Sequence, residues 1–345
     1  MLTTTQRSSL NLALQGGGAH GAFTWGVLDR VLEDDRIEFD GASGASAGAV
    51  NAVLLAAGLC EHGRLGARMK LKEFWTEVAR SGPSQPVLAP MAGLGLEFER
   101  MRRSFHGTLI DVATRTLSPY QLNPFDYNPL RELLIRLVDF DRLRATSPVR
   151  LYVAATDVST GEARIFHTCE ISCDAVLASA CLPHLHHAVR IDGRYFWDGA
   201  YTANPPILPL IDGAGSDDTL IIQIIAAGRP DLPVDAPEIT EQLNRIVFGE
   251  PLRREARLIE EMRARARTTI DIAVFRKRRI RRHRFHHIDA GASTRDLSPG
   301  TRLAPDPRII DKLFDDGRSA AAAWLERNFT SIGRRSTVDL AAQFS

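Results

Sequence analysis

One serine near the amino end lies in a pattern suited to acyl-transfer chemistry. Residues 44–48 read G-A-S-A-G, which fits a nucleophile elbow, where small residues let the chain turn sharply between a strand and a helix. Such a turn exposes the hydroxyl of Ser46 at the start of the helix, where the helix dipole favours developing negative charge. Because the chain contains 26 glycines, the G-x-S-x-G pattern alone is weak evidence for a catalytic serine. The surrounding sequence has to support it.

A second glycine-rich segment lies about 28 residues upstream of the serine. Residues 15–21 read Q-G-G-G-A-H-G and stand between a short apolar run and a helical pattern. Glycine lets the backbone approach a substrate with no Cβ in the way, and the exposed N–H groups of such a loop can form an oxyanion hole. Two loops of this kind, each between a strand and a helix, indicate an acyl-transfer site.

The same glycines also fit a dinucleotide-binding fingerprint. Gly16, Gly18 and Gly21 satisfy G-x-G-x-x-G, and Asp40 follows at about the distance of a ribose-binding acid. Asp40, however, precedes the elbow sequence, which a dinucleotide fold does not require. A phosphate-binding P-loop is excluded because no Gly-Lys-Ser/Thr follows the glycines. A dinucleotide-binding oxidoreductase therefore stays as an alternative interpretation. Absence of NAD or NADP binding would exclude it.

The base that activates the serine has two kinds of candidate. Histidine is the commonest general base, and the candidate histidines are His184, His186, His187, His283, His286 and His287. A positioned, partly desolvated aspartate can also serve. The tripeptide D-G-A occurs at Asp40, Asp198 and Asp212, but only Asp198 ends a strand-like run and precedes a tight loop, G-A-Y-T-A-N-P-P. The sequence therefore favours Asp198.

The surrounding pattern predicts an α/β fold. Two successive strand–helix units indicate a parallel sheet with helices on its faces, and Asp192-Gly193 favours a tight hairpin turn. We expect a three-layer α/β/α sandwich with a mainly parallel central sheet over 10–228, including a lid-like excursion at 81–128 that covers the acyl chain. A charged, mostly helical C-terminal extension is expected over 229–345, with an edge strand after its basic run.

Composition limits the partners and the compartment. The formal net charge of +1 gives no global attraction to nucleic acid, so we expect none to bind. Four cysteines over this length and the lack of a secretory leader favour a reducing, cytoplasmic location. The basic run 276–284 forms either a peripheral membrane contact or an exposed edge strand whose charges prevent it from pairing with another strand. The uncharged stretch 41–60 is read as buried core, and the cysteines and histidines of 169–187 as buried thiols and packing residues without metal.

Four segments together resemble the patatin-like phospholipase family. They are A-L-Q-G-G-G-A-H-G-A-F-T-W-G-V-L, G-A-S-A-G-A-V-N-A, A-S-A-C-L-P and Y-F-W-D-G-A-Y-T-A-N-P-P, spread over about residues 12–211. Members are serine acyl hydrolases with a Ser-Asp dyad, so the resemblance implies Ser46 as nucleophile, Asp198 as base and no cofactor or metal. It also implies Gly17 and Gly18 as oxyanion donors. The motif glycines are Gly16, Gly21, Gly44, Gly48 and Gly199.

The function expected from these residues is hydrolysis of lipid acyl esters. An intracellular polyester or thioester hydrolase with the same dyad is the alternative among enzymes, and a catalytically weak lipid-binding regulator is the alternative outside them. One departure concerns His20, which stands where the family commonly has Arg or Lys. If a cation there assists the oxyanion or a lipid phosphate, His20 does so only when protonated.

Overall fold

The computed structural model describes residues 7–81, 117–226, 232–268, 279–295, 297, 299–302 and 306–344. Within them, eight strands form one sheet. The strands are β1 Ser8–Leu14, β2 Ile37–Gly44, β3 Arg150–Asp157, β4 Ala163–His167, β5 Val189–Ile191, β6 Arg194–Asp198, β7 Asp218–Gln223 and β8 Arg284–Asp289. The helices are α1 Gly21–Leu32, α2 Ala47–Ser81, α3 Pro119–Leu122, α4 Pro129–Leu137, α5 Phe140–Thr146, α6 Cys173–Ser179, α7 Leu208–Gly213, α8 Ala236–Thr268, α9 Gly291–Thr294, α10 Pro307–Asn328 and α11 Leu340–Phe344.

The sheet is mostly parallel. Its order is β5-β6-β3-β2-β1-β7-β8, with β4 also paired to β3. The pairs that join β3, β2, β1, β7 and β8 are parallel, whereas β4, β5 and β6 pair antiparallel. The β5–β6 hairpin turns at Asp192 and Gly193, whose φ angles of 49° and 80° match the left-handed conformation that a tight hairpin needs. The predicted fold class and this hairpin are confirmed.

Helices cover both faces of the sheet. In β1, Leu12 belongs to the apolar core shared with α1, α2 and α10, whereas its neighbour Ala13 belongs to the core shared with α7, α8 and α11. Successive side chains of a strand point to opposite faces, so these two cores lie on opposite sides. The architecture is therefore the three-layer sandwich expected from the sequence.

The part of the chain beyond residue 229 is built into this sandwich. Its strand β8 pairs with β7 along the edge of the sheet, as the alternating pattern predicted. Its helix α10 packs closely on α1: a Cβ on Gly26 would lie 2.0 Å from the carbonyl oxygen of Phe314, and one on Gly317 would lie 2.1 Å from that of Phe23. Glycine at these positions lets the two helix backbones touch. The extension thus supplies an edge strand and helices to both faces.

Helix α2 and the segment after it, the predicted excursion at 81–128, differ in how far the structure describes them. Helix α2 is longer than its apolar part suggested, and it bends at His62 and Gly63, where the backbone angles are not helical. Most of the predicted excursion, residues 82–116, lies outside the described residues. Its last part, which carries α3, lies against the loop before β5, where the rings of Tyr120 and His187 stack with centroids 4.1 Å apart. Among the residues that the structure describes, each helix is either too short or too polar to span a lipid bilayer.

Candidate active site

The turn between β2 and α2 holds Ser46 in a strained backbone conformation. Its φ angle is +52°, a value that few residues other than glycine adopt. The flanking glycines are sterically required, because a Cβ on Gly44 would lie 2.4 Å from the carbonyl carbon of Gly48, and one on Gly48 would lie 2.0 Å from the carbonyl oxygen of Leu14. The Ser46 N–H donates to the carbonyl oxygen of Ser179 at 3.0 Å. The turn has the geometry of the predicted elbow.

The sheet brings Asp198 to the same edge as this turn. Strand β3 runs parallel to β2, with Val153 opposite Gly44, and β6 returns antiparallel to β3, with Asp198 opposite Ala155. The end of β6 therefore lies beside the carboxyl ends of the parallel strands. A Cβ on Gly199 would lie 2.0 Å from the carbonyl oxygen of Ala154, so only glycine lets the chain leave β6 this closely against β3.

The carboxylate of Asp198 lies beside the hydroxyl of Ser46. It accepts a hydrogen bond from the N–H of Ala200 at 2.8 Å. Asp198 is only 1% exposed. Burial raises its pKa to about 7, although the Ala200 N–H and the nearby Ser46 hydroxyl both act to lower it. A carboxyl with this pKa can take up and release a proton near neutral pH.

The glycine loop lies directly on the serine turn. Leu14 pairs with Gly44 at the ends of β1 and β2, and a Cβ on Gly16 would lie 2.5 Å from the carbonyl oxygen of Ala45. Gly17 is extended, with φ 170°, and Gly18 takes the left-handed φ of +60°. Among the residues that the structure describes, the N–H groups of Gly17 and Gly18 donate to no protein acceptor. Both are thus available to an oxygen of a substrate.

A side chain that the sequence singled out only as part of a tight loop ties the two loops together. Asn204 accepts a hydrogen bond from the N–H of Gly16 at 2.6 Å, and its amide group donates to the carbonyl oxygen of Phe248 at 3.0 Å. Asn204 is fully buried. It therefore links the glycine loop, the loop after Asp198 and helix α8.

Helix α8 holds the loop after Asp198 at two further points. One carboxylate oxygen of Glu255 accepts from the N–H groups of Ile207 and Leu208 at 2.8 and 2.6 Å. Arg254 donates to the carbonyl oxygen of Thr202 at 3.0 Å. Burial raises the pKa of Glu255 to about 7. These contacts come from the C-terminal extension, and no local sequence signal points to them.

His20 is neutral in this fold. It is 2% exposed, and burial, together with the nearby Arg302 and Arg245, lowers its pKa to about 3. Its Nε2 makes a hydrogen bond of 2.8 Å with the hydroxyl of Thr301. His20 could assist an oxyanion or a lipid phosphate only in its protonated form. With this low pKa it carries no positive charge near neutral pH, so it does not supply that cation.

Several of the other candidate bases are held by side-chain hydrogen bonds elsewhere in the fold. His283 bonds to Thr219 at 2.7 Å, His286 to Asp218 at 3.0 Å and His287 to Gln223 at 3.0 Å, all around β7 and β8. The carboxylate of Asp40 bonds to Arg150 at 2.7 Å, the carbonyl oxygen of Asp212 accepts from Arg279 at 3.3 Å, and His184 and His186 lie on the loop before β5 with His187. Across the described ranges, no hydrogen bond joins Ser46 to a histidine.

Metal binding finds no candidate site in the described part of the chain. No group of three or more His, Cys, Asp or Glu side chains there is arranged to hold an ion. The cysteines of the crowded segment are free, and burial raises the pKa of Cys181 to about 12, so that thiol is protonated. The site described above is made of backbone amides, one hydroxyl and one carboxyl.

Comparison with known proteins gives a family match that includes the residues of this site. Residues 12–211 match the model of the family described as patatin-like phospholipase. Among solved structures, the chain is similar to VipD from Legionella pneumophila, with a TM-score of 0.44 and 16% identity over 93% of this chain and 67% of that one. It is also similar to a chain of the ExoU–SpcU complex from the type III secretion system of Pseudomonas aeruginosa, with a TM-score of 0.31 and 17% identity over 98% and 74% of the two chains. The family match spans the serine turn, the glycine loop and the end of β6.

Proposed function

The chain belongs to the patatin-like phospholipase family, and from that premise we propose that it hydrolyses lipid acyl esters with Ser46 as nucleophile and Asp198 as general base. The observation that carries the proposal is the position of the Ser46 hydroxyl beside the buried carboxyl of Asp198, whose pKa is raised to about 7. Such a carboxylate needs no histidine to accept a proton from serine. The strained turn at Ser46 supports the same assignment, because strain of this kind collects at functional sites.

The reaction proceeds in two halves. The Ser46 oxygen attacks the ester carbonyl carbon while its proton passes to Asp198, and the tetrahedral intermediate then expels the alcohol, which takes that proton. Water next attacks the acyl-enzyme, giving a proton to Asp198. Collapse of the second intermediate releases the fatty acid as the proton returns to the Ser46 oxygen. Both intermediates carry an oxyanion that needs hydrogen-bond donors.

The donors that we propose for this oxyanion are the N–H groups of Gly17 and Gly18. Their support is the position of the glycine loop against the serine turn and the absence of another acceptor for them within the described residues. Asn204 acts as a positioning residue, since it fixes Gly16 to the loop that follows Asp198. Loss of one oxyanion donor typically costs a factor of about 10² to 10³ in kcat.

We also propose a peripheral membrane contact at the basic run 276–284. In the described part of that run, Arg279 donates to main-chain oxygens of α7 and the loop after it, and Arg284 bonds to Asp218, whereas Arg281 and Arg282 are exposed. Exposed guanidinium groups support a peripheral contact with anionic lipid. A cytoplasmic location stays a prediction from the sequence.

The test is turnover by Ser46→Ala beside a matched control. Ser43→Ala removes another serine hydroxyl, which lies in β2 just before the turn and has no hydrogen-bond partner in the described residues. We expect Ser46→Ala to lose at least about a thousandfold of its p-nitrophenyl ester turnover, and Ser43→Ala to retain it. Full activity in Ser46→Ala would refute the proposal.

A substrate panel separates the related alternatives. Phospholipid, short esters, acyl-CoA and hydroxybutyrate oligomers are compared at equal enzyme concentration. Preference for phospholipid or another lipid ester supports the proposal, whereas preference for the oligomers or the thioester favours the other hydrolases. Binding to liposomes without release of fatty acid would favour the regulator.

A further inference from the structure

Glu255 joins helix α8 to the loop 199–208, which follows Asp198. One oxygen of its carboxyl accepts from two consecutive backbone N–H groups, those of Ile207 and Leu208, at 2.8 and 2.6 Å. Burial raises the pKa of Glu255 to about 7, and the nearby guanidinium of Arg254 acts to lower it. Above that pH the carboxyl is ionised, and hydrogen bonds to an ionised acceptor are the stronger kind. Glu255 therefore anchors the far end of the loop to α8.

The near end of the same loop forms an apolar wall beside the proposed catalytic residues. Its two alanines, Ala200 and Ala203, are buried in a cluster with Ala45 and Ala154, and Phe248 of α8 packs against this cluster. Ala45 directly precedes the proposed nucleophile, and Ala200 donates its N–H to the proposed base at 2.8 Å. Apolar surroundings disfavour the charged form of a carboxyl. The wall thus contributes to the raised pKa of the base.

Two further contacts hold the middle of the loop against α8. Arg254 donates to the carbonyl oxygen of Thr202 at 3.0 Å, and the side chain of Asn204 donates to the carbonyl oxygen of Phe248 at 3.0 Å. The α8 residues that make these contacts belong to the C-terminal extension, beyond the family match over 12–211. The wall beside the base is therefore held in place from outside the matched segment.

We propose that Glu255 is a positioning residue for Asp198, because it holds the loop 199–208 against α8 and so keeps water away from the carboxyl of the base. This role rests on the proposed ester hydrolysis and gives the C-terminal extension a part in the same site. Two titratable groups, Cys181 and Tyr201, interact with Asp198. Both stay neutral near pH 7, since burial raises the pKa of each to about 12. Burial by the loop is thus the main influence on the pKa of Asp198.

Glu255→Ala and Glu255→Gln separate the anchor from the charge. Alanine removes the acceptor, so water reaches Asp198 and its pKa falls towards the ordinary value. We expect kcat for a soluble p-nitrophenyl ester to fall at least about tenfold at pH 8, with KM changed by less than about twofold. The apparent pKa of the acid limb of kcat/KM should fall by at least about one unit. Glutamine keeps an oxygen that accepts from both N–H groups, so it should retain most of the rate and a limb at about 7.

The matched control is Glu261→Ala, which removes an exposed carboxyl of the same helix whose partner is Arg265. It should leave kcat and the acid limb unchanged. An unchanged acid limb in Glu255→Ala overturns the proposal even if the rate is lower, because a purely structural defect reduces the number of active molecules without shifting the limb. A Glu255→Gln protein that behaves like Glu255→Ala overturns it too. If Glu255→Ala does not fold, Arg254→Gln removes the exposed anchor at Thr202 instead: a limb shifted to lower pH supports the proposal, and an unshifted one overturns it.

Hydrogen exchange distinguishes failure of this proposal from failure of the proposed function. In double variants that carry Ser46→Ala, the peptide covering the loop 199–208 should exchange faster with Glu255→Ala than with Glu255→Gln. Equal exchange in the two double variants overturns the role of Glu255 as an anchor. If Ser46→Ala alone keeps full ester turnover, the proposed function fails, while the exchange rates still report whether Glu255 holds the loop.

Discussion

Replacing Asp198 by asparagine should make the protein more stable and abolish its activity. In the folded protein the carboxyl is 1% exposed and its pKa is raised from 3.8 to about 7 by burial. Asparagine keeps an oxygen that accepts from the N–H of Ala200, but it carries no charge and cannot accept the proton of Ser46. The variant therefore removes the cost of burying an ionised group while it removes the proposed base.

The magnitude follows from the pKa difference between the two states. Because the folded-state pKa of Asp198 is the higher one, the folded protein binds more protons between pH 4 and pH 7, and its stability falls as the pH rises through that window. Compared with a side chain that stays neutral, the carboxyl of Asp198 lowers the free energy of unfolding by about 2 kcal/mol at pH 5 and by about 4 kcal/mol at pH 8. The stability advantage of Asp198→Asn should therefore grow by about 2–3 kcal/mol between these two pH values.

Urea denaturation of both proteins at pH 5, 6.5 and 8 measures this difference, with ester turnover recorded on the same samples. Using the difference between the two proteins cancels the other titrating groups. We expect a positive difference in free energy of unfolding that increases with pH, together with a loss of turnover of at least about a thousandfold. A difference that stays constant or shrinks as the pH rises would refute the burial argument for Asp198.

Two further predictions follow from the same geometry. Since Asp198 must be ionised to accept a proton, kcat/KM should rise with pH and level off with an apparent pKa near 7, and a profile already flat at pH 5 would contradict its role as base. Gly48→Ala should lower the unfolding free energy by at least about 2 kcal/mol, because its Cβ would lie 2.0 Å from the carbonyl oxygen of Leu14. The control Gly249→Ala, on a helix with nothing within 4 Å of the added Cβ, should be neutral or stabilising by up to about 1 kcal/mol in thermal or urea unfolding; equal effects of the two changes would show that the close approach is unimportant.

The parts of the site that the sequence predicts are those set by local chemistry. Gly44 and Gly48 predict a turn that leaves no room for a Cβ on either side of Ser46. The Asp192-Gly193 turn and the strand-like run after it predict a hairpin strand that ends at Asp198. Parallel strands place their carboxyl ends at one edge, so the order of the motifs was enough to bring the two loops together.

The parts that it does not predict depend on contacts between distant segments. The sequence around Gly18 does not predict that the carbonyl group of Arg302 packs against it. The sequence around Asn204 does not predict that its side chain accepts a hydrogen bond from the N–H of Gly16. His20 shows the same limit, since its ordinary pKa of 6.5 suggested a titratable group and only its burial beside two arginines makes it neutral. Tertiary burial decides these properties, and a single sequence holds no local pattern for it.

The role of Ser46 as nucleophile can be tested by covalent labelling. Purified protein is treated with a fluorophosphonate, and the adduct is counted by intact mass and located by peptide mapping. We expect one adduct per chain, on Ser46, with loss of ester turnover in proportion to labelling and no adduct in Ser46→Ala. Labelling at another residue that abolishes turnover, or unlabelled protein in a preparation that hydrolyses esters, would contradict it.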